Sequence, residues 1–256
     1  MEEIILYGLA FFVIAFLYAS VGHGGASGYL ALMAIFNFSA SVIKPTALIL
    51  NLLVSCLAFI SFYRAKHFKS SMLWPLVITS IPFAYLGSIV PISESFYKKL
   101  LAIVLLIAVA RILFLSKASN QKPAPKWYWL SIAGAFIGLV SGMIGMGGGI
   151  LLSPLLLLMG WSTQQQTAAL SAIFIFLNSA AGMVGQIQKG FQLDQSIYVI
   201  ILFVLIGGWL GAYIGAKKLK ADQLKFILAS VLIVAATKLF FVNSTYGCTS
   251  NFLWIN

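Results

Sequence analysis

Acidic residues are nearly absent from this chain. The 256 residues include five Asp and Glu, namely Glu2, Glu3, Glu94, Asp194 and Asp222, and all fall at the ends of apolar runs. A carboxylate-based sodium or metal site within those runs is thereby excluded, and so is a pair of carboxylates for acid–base catalysis. Histidine is almost as scarce. His23 and His67 lack metal-ligand spacing with other ligands, so neither a metal nor a cofactor is expected. No serine lies in a Gly-x-Ser-x-Gly elbow, which leaves an intramembrane enzyme little to work with. The two cysteines, Cys56 and Cys248, are too few for a disulfide framework. Charge of either sign is rare, at 8% of residues against about 25% in soluble domains. With 61% hydrophobic residues, such a chain cannot cover its own core with charged side chains, and lipid must serve as solvent.

What charge there is carries a strong sign, +11 net. The basic residues sit at the ends of apolar runs and form no aromatic–basic stripe, so they speak for topology and anionic lipid headgroups rather than nucleic acid. The N-terminus, Met1-Glu2-Glu3, is acidic where a cleaved signal peptide has a basic region, so the first segment reads as a retained helix.

A spanning helix needs about 20 mostly apolar residues. Candidate runs cover 4–20, 28–37, 42–63, 72–90 and 95–115, then 127–144, 150–160, 162–186, 193–216 and 223–242. Alternating ten-residue strands of a closed barrel are absent. The second set of runs repeats the first. Gly22-His23-Gly24-Gly25 matches Gly145-Met146-Gly147-Gly148 at an offset of 123, as Lys66-His67-Phe68 matches Lys189-Gly190-Phe191. Leu86-Gly87-Ser88 matches Leu210-Gly211-Ala212 at 124, and Arg111–Phe114 matches Lys238–Phe241 at 127. The organisation read from this is a first transmembrane repeat at 1–115, a cytoplasmic linker at 116–126, a second repeat at 127–242 and a tail at 243–256.

Five segments per half would invert the second half relative to the first. With the linker in the cytoplasm, loops 64–71, 116–126 and 217–225 and the helix ends beside them hold eleven Lys and Arg. Lys44, Lys98, Lys99, Lys189 and Lys238 fall on the other side. That bias fits the positive-inside rule and puts both termini outside. The competing count, with the glycine motifs as re-entrant loops and four crossings per half, would expose the lysines of 217–225 outside. The expected fold is therefore an all-α polytopic membrane protein of two five-segment inverted repeats, with helices broken at the glycine-rich motifs.

Those motifs carry the functional reading. Each interrupts an apolar segment, and an interior glycine costs a helix about 1 kcal/mol against alanine. Non-helical backbone at membrane depth survives only against protein or a water-filled cavity. A break there frees a half-helix N-terminus whose N–H groups bind anions, as broken helices do in transporters. The bland alternative is close helix packing through small residues. On the anion reading, Gly22, His23, Gly24 and Gly25 face Gly145, Gly147, Gly148 and Gly149 across a substrate site, with Asn51, Ser171 and Asn178 orienting the anion. Asn51 and Ser55, four apart, share a helix face, and Ser171 and Asn178, seven apart, share another. Helix–helix hydrogen bonding is the plainer role for any one of them. His23 is an ionisable group inside a span, a functional hypothesis by default. With an ordinary pKa of about 6.5, histidine can bind an anion or couple transport to protons, and a neutral ring bonded to a carbonyl is the alternative. Gln164-Gln165-Gln166-Thr167 reads either as a polar vestibule or as an interfacial cap.

The stretch Gly138–Pro154, with its Gly145-Met146-Gly147-Gly148-Gly149 core, and the polar helix from Thr167 resemble the signature of the sulfite exporter TauE/SafE family, also called the toluene sulfonate uptake permease family. Gly22–Gly25 fits the family's duplicated plan. The resemblance implies a cytoplasmic-membrane (inner-membrane) transporter for sulfite, sulfonates or related anions. Its expected partners are a small anion, membrane lipids and a coupling proton, and a homo-oligomer is compatible with it. His23 departs from the plainer second motif. An anion channel and a non-transporting membrane scaffold share these features.

Overall fold

The computed structural model describes residues 2–36, 38, 40–114, 123, 125–190 and 197–217. Among these residues the chain is all α, with no strand. The helices are α1 (Glu2–Ser20), α2 (Ala26–Ile35), α3 (Ala40–Arg64), α4 (Leu73–Ile89), α5 (Glu94–Phe114), α6 (Trp127–Ile144), α7 (Gly149–Leu158), α8 (Gln164–Gln188) and α9 (Ile197–Lys217). A short 3-10 turn, Ser70–Met72, leads into α4. Each falls within a few residues of an apolar run read from the sequence. The tenth run, 223–242, the tail and most of the linker lie outside the described residues.

Five stretches, within or covering α3, α4, α6, α8 and α9, are long and apolar enough to cross a bilayer. At 1.5 Å per residue, α2 and α7, with ten residues each, reach only about 15 Å. α2 mixes Ala, Leu, Met and Ile, α7 is mostly Leu with Ile, and both follow a left-handed glycine.

Small residues set the main helix pairs. A Cβ on Gly134, Gly138 or Gly142 of α6 would strike the backbone carbonyls of Leu76, Ser80 or Ala84 of α4. Likewise Gly207, Gly211 and Gly215 of α9 lie on the carbonyls of Phe12, Phe16 and Ser20 of α1. Stripes at every fourth residue let the backbones approach, which matters in lipid because van der Waals packing, not hydrophobic exclusion, joins helices there. Numbers rise together along both pairs, so α1 runs parallel to α9 and α4 parallel to α6. Between these pairs, α3 and α8 cross antiparallel. Asn51 meets Ser179, Leu48 packs under Gly182, and Phe62 clusters with Ala168 and Ala169.

The glycine interruptions are reversals. Ser27 bonds Tyr18, Gly28 abuts Ile14, Tyr29 stacks on Phe11 and Phe36 tilts against Tyr7. α2 therefore folds back along α1. The second half does the same, with Leu152 and Leu156 of α7 in one core cluster with Ile137 and Leu130 of α6. Both segment counts read from the sequence require the chain to turn back at each glycine motif, and the packing of α2 along α1 shows how it does so. The N-termini of α4 and α6 share one face of the bundle, here the linker face. The start of α3 and the ends of α4 and α8 share the far face. Exposed Trp74, Trp127 and Trp129 at the linker-face ends of α4 and α6 form an aromatic edge.

Candidate functional site

Both turns use the same backbone device. α2 starts from Gly25 with φ 92° and α7 from Gly148 with φ 83°, neither with a side-chain cap. A left-handed residue at these positions admits glycine and penalises every side chain. Among the described residues, the N–H groups of Gly24, Gly25, Gly147 and Gly148 meet no acceptor. They add to the partial positive charge of the helix N-termini they precede.

One side chain stands between the turns. Asn51, at the middle of α3 and 1% exposed, accepts from the Ala26 N–H at 3.3 Å. Its amide donates to the Met146 carbonyl at 3.2 Å and to Ser179 Oγ at 2.9 Å. A Cβ on Gly24 would collide with the Asn51 amide oxygen, and one on Gly147 would come within 2.5 Å of the amide nitrogen. Asn51 therefore clasps the start of α2, the second glycine turn and α8. In this conformation its donors serve the protein, and an anion would have to take them over.

His23 anchors a second chain of polar contacts. Its Nδ1 lies 3.0 Å from the Val21 carbonyl and its Nε2 lies 2.8 Å from Ser153 Oγ. Ser153 also lies 2.9 Å from the Gly149 carbonyl and 2.8 Å from Ser171 Oγ. Ser153 has one hydroxyl proton. A neutral ring with its proton on Nδ1 accepts that hydroxyl at Nε2. A protonated ring donates there instead and sends the Ser153 hydroxyl to Gly149. The protonation state of His23 is thus wired to the first turn of α7.

Tyr18, His23, Gly24, Gly25, Ala26, Ser27, Asn51, Met146, Ile150 and Ile175 line a cavity of about 10 Å³, space for about one water. Of the residues singled out in the sequence, His23, Gly24, Gly25 and Asn51 line it. Gly147 reaches it through Asn51, and Ser171 through Ser153. Gly149 packs on the Ile175 side chain. Gly22 (φ 76°) and Gly145 (φ 88°) sit behind it, the first against Ala168 and the second against Lys44. Asn178 bonds its own helix at Phe174, while its side-chain oxygen is buried without a partner. Ser55 likewise bonds Leu52. The Gln164–Thr167 stretch is a cap. Thr163 and Gln166 form a reciprocal capping box, and Ser162 bonds Thr167 at 2.6 Å.

Four contributors carry little signal in the sequence. Ser153 is one serine in a leucine-rich run, and Tyr18 and Ser27 read as ordinary helix residues. Lys44 reads as a helix-end charge, yet it is 9% exposed. Its one available signal is placement directly after Val42-Ile43, inside an apolar run.

A profile of the sulfite exporter TauE/SafE family matches residues 7–239. A probable membrane transporter protein, y4hK of Sinorhizobium fredii, is 37% identical over 245 residues, covering 93% of this chain and 98% of that protein. Sulfite exporter TauE/SafE family protein 3 of Arabidopsis thaliana is 27% identical over 110 residues, 41% of this chain and 23% of that protein. The probable membrane transporter protein YunE of Bacillus subtilis is 29% identical over 116 residues, 44% of this chain and 41% of that protein. No solved structure matches the chain. A multi-pass helical bundle with paired glycine turns, matched along nearly its whole length, thus belongs to the sulfite exporter TauE/SafE family of membrane transporters.

Proposed function

We propose that this transporter is a secondary carrier of a small sulfur-containing anion, sulfite or an organosulfonate, built from two inverted repeats in the cytoplasmic membrane with both termini outside. The observation that carries the reading is the pair of unengaged main-chain donor sets, Gly24–Gly25 and Gly147–Gly148, on either side of Asn51. Among the described residues no carboxylate side chain lies near them to repel an anion. An oxyanion recognised this way needs no lysine in contact. Helix directions support the inverted plan. α1 starts at the far face and its counterpart α6 at the linker face. A cavity fit for about one water is too small for sulfite, so passage requires the turns to part. That favours a carrier over an open channel.

His23 is the coupling group in this reading. Proton uptake reverses its bond with Ser153 and alters the acceptor at Gly149 just where the second turn begins. The test is uptake of radiolabelled sulfite and of a labelled arylsulfonate into proteoliposomes holding the purified chain. Accumulation above protein-free vesicles, with saturation, is expected. Equal accumulation in both would rule out these substrates.

A further inference from the structure

The chamber does not account for Lys44. It enters the membrane-spanning stretch Val42–Arg64 two turns before Asn51 and on the same face of α3, about 10 Å toward the far face. Its ammonium has three donors, yet one bond is made, to the Ser88 carbonyl at 3.1 Å. No ion pair engages it among the described residues. The Gln186 amide donates to the same carbonyl at 3.0 Å, and Ser88 Oγ is fully buried with no partner. The C-terminal ends of α4 and α6 favour a cation here, but a buried charge with two free donors remains poorly compensated.

Pseudo-symmetry sharpens the point. α3 and α8 correspond at an offset of 124, so Lys44 matches Ala168. Gly22 of the first turn packs on Ala168, and Gly145 of the second packs on Lys44. The same niche is apolar toward the linker face and cationic toward the far face.

We propose that Lys44, with Ser88 and Gln186, forms a second subsite for a small oxyanion, between the chamber and the far face. The subsite rests on the carrier reading for its purpose, though not for its chemistry. An anion leaving the main-chain donors of Gly147 passes Gly145, which packs on the stem of Lys44, and reaches the ammonium at the Ser88 carbonyl, where its charge replaces the missing counter-ion. Passage through the far face then depends on a side chain that passage through the linker face does not use.

Sided transport and anion location test this together. In proteoliposomes of known orientation, Lys44→Gln is expected to raise the KM for sulfite presented at the far face by at least about tenfold. The KM at the linker face should stay within about twofold, and Lys44→Arg should restore the far-face value. Gln186→Leu should weaken the far-face KM in the same direction while keeping the charge, which covers a Lys44→Gln protein that fails to insert. Independently, crystals of the full wild-type chain soaked in selenite should show anomalous density within bonding distance of Lys44 Nζ. Equal KM changes at both faces, or selenite density confined to the chamber, would overturn the subsite. Selenite at Lys44 in a protein that moves no sulfite would uphold the subsite and count against the carrier reading.

Discussion

The two glycine turns are near copies in backbone and different in side chain, and that difference separates what builds the site from what drives it. Both turns reverse the chain, start a ten-residue helix from a left-handed glycine and, among the described residues, leave two N–H groups without acceptors. Their side chains diverge. The first turn has His23, tied to Ser153, where the second has Met146, which offers only its carbonyl to Asn51. The first turn lies on Ala168 and the second on Lys44. On the proposed carrier reading, anion recognition belongs to the shared backbone, whereas proton response and sidedness belong to the unshared side chains. On that reading a duplicated device serves both orientations of the carrier, and a side chain present once breaks the equivalence.

That division can be broken at its strongest point first. Gly148→Leu forces a branched side chain into a left-handed position already walled by Ile137 and Phe174. It is expected to abolish sulfite transport while membrane insertion, read by fractionation, persists. Full activity would remove the turns from the site. Asn51→Asp comes next. It puts a negative charge between both donor sets, and juxtaposed like charges cost several kcal/mol. A loss of about 100-fold or more in counterflow rate is expected. An unchanged rate would place the anion elsewhere.

His23→Met makes the two turns alike. Counterflow exchange should survive, while the dependence of net flux on pH, about tenfold per unit for one coupled proton, should flatten between pH 5 and 8. An unaltered profile would remove His23 from coupling. The mildest test leaves activity intact. Asn120→Cys in the linker should react with an impermeant maleimide only from the cytoplasmic side, and labelling from outside would reverse the proposed orientation.

Much of the architecture was legible before any coordinates. Helix positions followed from apolar runs that lipid demands, and the breaks at Gly22–Gly25 and Gly145–Gly149 followed from a residue that a straight helix would not keep. Among candidate site residues, His23, Gly24, Gly25 and Asn51 come together at one cavity. Asn178 illustrates the limit. Its seven-residue spacing from Ser171 put both on one helix face, yet spacing says nothing of rotamer, and its amide turns back to Phe174. Lys44 illustrates another. Charge counting treats every lysine near a helix end as exposed, and only packing distinguishes a solvated ammonium from one buried against the Ser88 carbonyl.

The sequence by itself determined the solvent, the helix count among the described residues, the repeat and the places where helices must yield, because each is fixed by local composition against a bilayer of set thickness. Tertiary structure decided how each short helix packs back along its predecessor, that one asparagine clasps both turns, and that Lys44 is buried. Those outcomes depend on which glycine stripe meets which helix. Such contacts join residues 58 positions apart in one helix pair and 195 in the other, and no local pattern encodes them.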